Sequence, residues 1–225
     1  MSSRPGPPML ASAAESAESV PADGSTWAYE VKWDGVRVLA QVEQGRLRLV
    51  SRAGNEVTAA YPDLAGLAQV HPDAVLDGEV VVLRDGVPSF TALAERMHVR
   101  DAQRARALAA RAPATYIAFD LLSLDGADTT ALTWTERRTL LEHLADGARD
   151  WQVSPVYDDR DALIAATREQ GLEGVVAKRR SSRYVPGART GDWVKLAHKR
   201  VQSCLVGGWR WETGGRDRLG ALLLG

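Results

Sequence analysis

The chain alternates short apolar runs with amphipathic segments, without the regular strand–helix–strand rhythm of a doubly wound sheet. A turn at Gln44-Gly45 predicts that two neighbouring strands form a hairpin. Val-rich and aromatic runs predict strands over residues 27–33, 36–43, 46–52, 74–83, 115–122, 173–179 and 192–198. This pattern favours a mixed α/β (α+β) fold in which antiparallel pairs dominate.

Helical spacing and capping residues predict the helices. Ser89 is a suitable N-cap, Thr133 and Glu136 form a capping box, and Gly171 suits the left-handed position that ends a helix. The predicted helical segments are residues 61–70, 90–97, 101–111, about 134–144 and 159–170.

Composition describes an ordinary globular protein with one substantial core. The 225 residues are 45% hydrophobic and 25% charged, with a formal net charge of −1, so any nucleic-acid contact must come from local clustering of charge. The single cysteine, Cys204, excludes an internal disulfide, fits a reducing cytosol, and is expected to be buried in a strand. No apolar run reaches the roughly 18 residues that a membrane helix requires, so no membrane partner is expected.

The two ends of the chain differ from the middle. Residues 1–25 are rich in Pro, Ala and Ser and predict a flexible or loosely docked N-terminal tail, in which Pro8-Met9-Leu10-Ala11 is the part expected to pack on the domain surface. Residues 26–200 carry the predicted sheet and helices. In residues 201–225, segments 202–208 and 219–225 predict two strands, too few for an independent domain, and indicate the start of a second, β-rich domain.

Lys32 is the strongest candidate for chemistry. It opens the segment Lys32-Trp33-Asp34-Gly35-Val36-Arg37, next to a carboxylate, a glycine turn and aromatic side chains. A lysine that acts as a nucleophile must lose its proton before it attacks, and an apolar, cation-rich setting favours that form.

Carboxylates inside apolar runs are the second signal. Glu79, in Asp77-Gly78-Glu79, is expected to have a cation, metal or hydroxyl partner, because burying an unpaired carboxylate is costly; a salt bridge within the fold is the alternative. Strict alternation sends Glu173 and Lys178 to opposite faces of one strand. Both can reach one ligand only if Glu173 lies in the turn at Gly174.

Taken in order, these segments resemble the motifs of covalent nucleotidyltransferases, and the chain resembles an ATP-dependent DNA ligase of bacterial repair type. The resemblance implies an ATP-grasp-like nucleotidyltransferase domain with antiparallel-rich sheets flanked by helices, followed by the start of an OB-fold. The matching segments are motif I (32–37), Ser51-Arg52, motif III (77–79), motif IIIa (116–122), motif IV (173–178) and motif V (193–195).

The resemblance implies that Lys32 attacks the α-phosphate of ATP, releases pyrophosphate and forms a lysine–AMP intermediate. The AMP then passes to a DNA 5′-phosphate, and a 3′-hydroxyl displaces it to seal the nick. Glu30 would help to seat the adenine. Phe119, which local sequence alone assigns to core packing, would stack on the base. Arg37 and Arg52 would contact the ribose and the phosphates.

The remaining implied roles concern the metal and the α-phosphate. Glu173 would hold a divalent ion, Mg²⁺ or Mn²⁺, and Glu79 would bind either the metal or a ribose hydroxyl. Lys178 and Lys195 would contact the α-phosphate.

The chain departs from the family pattern in two places. Motif V normally has two lysines spaced Lys-x-Lys, but the second position is Ala197, and Lys199, with the same strand parity, is the candidate substitute. His198 is the weaker candidate. The sequence also stops before a complete OB-fold and motif VI, so impaired sealing from ATP is expected.

Charge and partners follow from the same resemblance. Between Lys178 and Arg200 there are eight Lys or Arg residues against the single acidic residue Asp192, which favours contact with phosphates over a merely solvated face. We therefore expect nicked double-stranded DNA as the partner, with DNA-repair proteins besides. The protein is expected to be a monomer in the cytoplasm, associated with the nucleoid.

Two other functions stay open on the sequence. The same chemistry serves RNA ligases and capping guanylyltransferases that use GTP. A non-catalytic module that binds nucleotide or DNA ends is the alternative from another class, favoured by Ala197 and disfavoured by an intact Lys32.

Overall fold

The computed structural model describes residues 6–145, 151–198, 203–215 and 217–225. It contains two large sheets, a separate two-stranded hairpin and α-helices on the outer faces of the sheets. The strands are β1 (Ser12–Ala13), β2 (Trp27–Val31), β3 (Val36–Glu43), β4 (Arg46–Ser51), β5 (Asp73–Arg84), β6 (Val87–Pro88), β7 (Ala114–Leu124), β8 (Ala127–Asp128), β9 (Trp151–Val153), β10 (Val156–Tyr157), β11 (Gly174–Arg179), β12 (Trp193–Ala197), β13 (Val206–Trp211) and β14 (Leu219–Leu224).

The predicted helices form, with one change of type. Ser89, Asp101, Thr133 and Asp159 each accept a backbone N–H with their side chains at a helix N-terminus, and Thr133 completes the capping box with Glu136. The α-helices are α1 (Phe90–Ala94), α2 (Ala102–Arg111), α3 (Trp134–Leu144) and α4 (Arg160–Glu169), and 3₁₀ segments cover Ala17–Ser19, Thr58–Ala60 and Pro62–Gln69. The segment predicted as a helix over 61–70 is therefore 3₁₀, with a proline at its first position.

The two sheets are built mostly from antiparallel pairs, so the mixed, antiparallel-rich fold is confirmed. The first sheet has the order β4-β3-β5-β7-β8, with β6 paired to β5 and β9 parallel to β7. The second has the order β1-β12-β11-β2-β10, in which only β1 and β12 pair in parallel. Strands β13 and β14 form a hairpin of their own; its assignment to an OB-fold stays a prediction.

Alternating residues of the central strands divide the core into layers. Val38 and Leu76 face a cluster formed with the 3₁₀ segments, α1 and α3, whereas Leu39 and Val75 face the second sheet. On the far side, α4 packs Leu163 against β2 and β11. The two sheets meet through a small cluster that also contains Met9, Leu122, Tyr184 and Trp193.

The described part of residues 1–25 is docked on the domain rather than flexible, which agrees with the packing expected of residues 8–11 and extends it towards Val20. Met9 is fully buried, Ser12 and Ala13 pair with β12, and Val20 is buried against the second sheet. Composition predicted flexibility because apolar residues are few in this segment, but those few pack against the edge of the second sheet.

Two further expectations change at the C-terminal end. Cys204 is exposed rather than buried. The first hairpin strand runs from Val206 to Trp211 rather than over 202–208. Among the described residues, no helix is long and apolar enough to cross a membrane.

Gly78 offers a test of how tightly β5 packs on β7. A Cβ at this position would lie 2.5 Å from Tyr116 Cζ and 2.6 Å from the Ile117 carbonyl oxygen. We expect Gly78→Ala to lower the free energy of unfolding by about 2 kcal/mol, because neither the ring nor the backbone can retreat. Denaturant titration measures this change.

Gly208→Ala is the matched control, since nothing lies within 4 Å of a Cβ there. It should change the free energy of unfolding by less than about 0.5 kcal/mol. Equal effects at the two positions would contradict the packing described for Gly78.

Candidate functional site

A cleft between the two sheets contains the sequence-predicted residues. The space within it, counting the part open to solvent, is about 830 Å³. All eight predicted nucleophile and nucleotide-contact positions line it: Glu30, Lys32, Arg37, Arg52, Glu79, Phe119, Lys178 and Lys195. Glu173 does not line the cleft but reaches its edge through Lys32.

Lys32 lies immediately after β2, where the chain leaves one sheet for the other. Its backbone N–H donates to the Gly174 carbonyl oxygen at 2.8 Å, and its amine forms an ion pair with Glu173. Gly35 permits the crossing, because a Cβ there would lie 2.3 Å from the Val80 carbonyl oxygen. The glycine of motif I therefore serves the close approach of the two sheets.

Glu173 reaches Lys32 because it precedes β11 rather than belonging to it. Gly174 has a φ of 149°, and a Cβ there would lie 1.9 Å from the Leu196 carbonyl oxygen. The turn that the sequence required is present: Glu173 lies at the Lys32 end of the cleft, while Lys178 lies inside it.

Arg37 and Asp77 form a bidentate ion pair on the floor of the cleft. Arg37 Nε and Nη2 donate to the two carboxylate oxygens at 3.0 and 2.6 Å, and Asp77 is fully buried. Arg37, a possible cation partner for Glu79, thus pairs with Asp77 instead. No ion pair or side-chain hydrogen bond to Glu79 forms among the described residues, and burial raises the pKa of its carboxyl to about 8, against the opposing effects of Arg37 and Lys32.

Glu30 and Lys178 form the second buried pair, 2.7 Å apart and each about 2% exposed. The Lys178 amine also donates to the Phe119 carbonyl oxygen at 3.2 Å and lies 4.5 Å from the ring centroids of both Phe119 and Trp193. Burial lowers the pKa of Lys178, and the Glu30 carboxylate opposes that effect. The pair places one carboxylate and one cation at the aromatic end of the cleft.

Phe119 reaches the cleft through a β-bulge. In the pairing of β5 with β7, Asp77 opposes Asp120 and Gly78 opposes Ala118, so Phe119 is the extra residue. A bulge redirects a side chain out of strict alternation. The ring is half-buried and in edge contact with Trp193, at 6.2 Å between centroids.

The motif V strand places Lys195 in the cleft, but the second lysine position of the motif is occupied by the uncharged Ala197. Ala197 is exposed at the end of β12 and pairs with Gly174. The candidate substitute Lys199 lies outside the described residues. His198 is directed elsewhere: its Nε2 lies 2.8 Å from the Thr167 hydroxyl oxygen, and burial lowers its pKa.

Sequence reasoning missed several residues of the site. Trp193 and Arg189 line the cleft, and Leu10 and Ala11 of the N-terminal segment form part of its wall. Tyr184 bonds to Asp77 beneath it. The aromatic residue next to Val194-Lys195 was a usable signal for Trp193, but the contacts of Tyr184 arise only from long-range packing.

The comparisons with known proteins agree with this geometry. Residues 8–197 match the model of the ATP dependent DNA ligase domain. The chain belongs to this family. The matched region contains every residue that lines the described cleft, from Leu10 to Lys195.

Two relatives from one mycobacterium illustrate the similarity. The multifunctional non-homologous end joining DNA repair protein LigD of Mycobacterium tuberculosis is 43% identical over 205 residues, which is 89% of this chain and 25% of that protein. DNA ligase C of the same organism is 34% identical over 229 residues, covering 97% of this chain and 62% of the relative. The chain thus spans about a quarter of the LigD proteins that it matches.

Solved structures show the same fold. The mycobacterial DNA ligase D complexed with ATP and MES has a TM-score of 0.75 and 41% identity, covering 98% of this chain and 67% of that one. The ligase domain of Mycobacterium tuberculosis LigD has a TM-score of 0.74 and 40% identity, covering 98% and 68%.

Glu79 yields a prediction about stability. Its pKa of about 8 exceeds the ordinary value of 4.5, so between these values the folded state holds a proton that the unfolded state has lost. Stability from this group is therefore present below pH 4.5 and is lost as the pH rises towards 8. We expect Glu79→Gln, in chelator and without nucleotide, to be more stable than the parent at pH 8 by on the order of 3 kcal/mol, with a much smaller difference at pH 5.

Denaturant unfolding at pH 5, 6.5 and 8 measures the difference between parent and variant. Glu43→Gln, the same change at an exposed position of β3, is the control and should give a difference independent of pH. A Glu79→Gln variant that tracks the parent at every pH would show that the carboxylate is not held in a desolvated site.

Proposed function

We propose that this chain is the adenylation part of an ATP-dependent DNA ligase, in which Lys32 is the nucleophile. The observation that carries the proposal is the joint position of Lys32, five further cations and three aromatic side chains in one cleft, within a chain that belongs to the ligase family. A lone surface lysine would need no such surroundings.

The first step is attack of the neutral Lys32 amine on the α-phosphorus of ATP. A phosphorus–nitrogen bond forms, the bond to the bridging oxygen breaks, and pyrophosphate leaves with its electron pair. Glu173, already paired with the amine, is placed to accept the proton that the nitrogen loses. Lys195, Arg37 and Arg52 would balance the charge that accumulates on the phosphate oxygens.

The aromatic end of the cleft suits the base. Phe119 and Trp193 offer ring surfaces, and Glu30 offers a carboxylate oxygen. Glu30 Oε1 is buried and lies 2.7 Å from the Lys178 amine, with no hydrogen-bond donor besides that amine among the described residues. A carboxylate here would accept a hydrogen bond from the exocyclic amine of adenine, whereas guanine presents an oxygen at that position. This chemistry favours ATP over GTP.

A divalent ion, Mg²⁺ or Mn²⁺, fits the carboxylates of Glu173 and Glu79. Among the described residues no group of three or more acidic, His or Cys side chains could enclose a metal by itself. Mg²⁺ commonly uses only one or two carboxylates together with substrate phosphates, so this pair is sufficient. When bound, such an ion would neutralise phosphate charge; it would also reverse the conditions that keep the pKa of Glu79 high.

In the later steps, AMP would pass from Lys32 to the 5′-phosphate of nicked double-stranded DNA, and the 3′-hydroxyl would displace AMP to close the nick. The mycobacterial relatives are named as end-joining repair proteins, and we extend DNA repair to this chain on that similarity. Arg189, which is exposed and lines the cleft, supports phosphate contact. Arg183 is also exposed, whereas Arg179 and Arg180 are ion-paired with Asp192 and Asp158. Action as a monomer in the cytoplasm is part of the same proposal.

Covalent labelling tests the nucleophile. With α-labelled ATP and Mg²⁺ or Mn²⁺, the chain should acquire label that survives denaturation, and mass mapping should place it on Lys32, one of only four lysines. Lys32→Arg is the control variant, because it keeps the cation but removes the nucleophilic amine, and it should acquire no label.

The same experiment separates the alternative functions. Label from GTP in place of ATP would favour a capping enzyme, and label transfer to RNA alone would favour an RNA ligase. Absence of label from either nucleotide would contradict catalysis and favour a binding module.

Ala197 gives a gain-of-function prediction. It shares strand parity with Lys195, whose side chain lines the cleft, so Ala197→Lys should restore a second cation near the α-phosphate. A charge-assisted hydrogen bond is worth about 1.5–3 kcal/mol, so we expect the labelling rate at low ATP to rise about tenfold or more.

Ala197→Met, which lengthens the side chain without adding charge, is the control and should leave the rate within about twofold. A rate unchanged by Ala197→Lys would show that another cation already fills this role.

A further inference from the structure

A chain of hydrogen bonds runs from the cleft to the N-terminal segment. Arg37, which lines the cleft, donates to both oxygens of Asp77. The Tyr184 hydroxyl donates to Asp77 Oδ2 at 2.7 Å and accepts the Met9 backbone N–H at 2.9 Å. Asp77, Tyr184 and Met9 are each at most 3% exposed.

The Tyr184 hydroxyl uses both its donor and its acceptor capacity in this chain. A phenol has one O–H to donate and lone pairs to accept, and here one neighbour is a carboxylate and the other an amide. Burial and the nearby Asp77 carboxylate raise the pKa of Tyr184, so the proton that it donates is retained at neutral pH. Loss of the hydroxyl would leave the buried Met9 N–H without its partner and would remove one of the two hydrogen bonds to Asp77 Oδ2, so that Arg37 alone would hold that oxygen.

The segment that Tyr184 anchors is a wall of the cleft. Leu10 and Ala11 line the cleft, and the Leu10 N–H donates to the Ala188 carbonyl oxygen at 2.8 Å. Ser12 and Ala13 pair in parallel with Val194 and Lys195, and the Ala14 N–H donates to the Lys195 carbonyl oxygen at 2.8 Å. The Ala11 carbonyl oxygen accepts from Arg189.

We propose that Tyr184 is a positioning residue for the nucleotide, which holds Arg37 in its phosphate-directed orientation and fixes residues 9–14 as the wall of the cleft. The proposal rests on the proposed function, since it takes the cleft as the nucleotide site. Tyr184 acts through Asp77 and Met9, and it is not required to touch the ligand itself. It therefore sets the affinity for ATP rather than the chemical step.

The geometry distinguishes this role from ordinary core packing. A core tyrosine contributes through its ring, which Phe would retain, including the edge contact with Trp193 at 5.7 Å between centroids. The positioning role belongs to the hydroxyl alone. Tyr184→Phe therefore separates the two roles with the removal of one oxygen atom.

The test measures covalent labelling of the full chain from ATP as a function of ATP concentration. For Tyr184→Phe we expect the KM for ATP to rise about tenfold while the rate at saturating ATP stays within about twofold. Tyr29→Phe is the matched control, because its hydroxyl also donates a hydrogen bond, to the Pro21 carbonyl oxygen at 2.8 Å, away from the cleft; its KM should stay within about twofold.

A double-mutant cycle checks the route of the effect. In an Arg37→Gln background, Tyr184→Phe should raise the KM by clearly less than it does alone, because the orientation of Arg37 is already lost. Full additivity would contradict action through Arg37, as would a change confined to the saturating rate.

Hydrogen exchange of the parent protein keeps the proposal testable if Tyr184→Phe does not fold. Addition of ATP with Mg²⁺ should slow amide exchange in residues 9–14, with α2, remote from the cleft lining, as the internal reference. If label forms but amide exchange in residues 9–14 is unchanged, the positioning role of Tyr184 is contradicted while the proposed function stands. Absence of both label and nucleotide binding in the parent would instead contradict the proposed function, and this proposal with it.

Discussion

The cleft depends on the pairing of buried opposite charges. Three carboxylates that face the seam between the sheets are almost fully buried, and each is matched by a cation: Glu30 with Lys178, Asp77 with Arg37, and Asp120 with Arg137. A charge removed from water is tolerated only when a partner and further hydrogen bonds replace the lost solvation. Two of these pairs therefore fix cations of the cleft lining, Lys178 and Arg37, whereas Arg137 lies outside the lining and holds α3 against β7.

Glu79 is a carboxylate of the cleft for which the described residues provide no ion-pair partner. It follows Asp77 by two residues on the same strand and shares its side of the sheet, but the Nε and Nη2 hydrogen bonds of Arg37 go to Asp77. The site thus keeps one carboxylate whose charge is disfavoured in the protein alone. Under the proposed function, a cation brought with the nucleotide would remove that cost. Such an arrangement trades stability of the empty protein for affinity in the complex.

How far the sequence predicted the structure depended on whether the signal was local. The helices, their caps, the central strands and the turn at Glu173-Gly174 follow from spacing and residue type, and they form as expected. The sequence could not decide which of Asp77 and Glu79 takes the cation, because both lie in one strand and the choice depends on where Arg37 reaches across. The bulge that turns Phe119 into the cleft and the burial of Met9 were likewise invisible locally, since each depends on a distant strand.

The pairing of β1 with β12 has a consequence for the order of folding. Met9 and Tyr184 are separated by 175 residues, and the parallel strand pair joins the first strand of the chain to the twelfth. During synthesis from the N-terminus, the wall of the cleft must wait, without its partner, until almost the entire adenylation domain has been made. Contacts of such large sequence separation form late because the loop between them must first be closed. The cleft thus closes as one of the last events, after the sheets that carry Lys32 and Arg37 have been assembled.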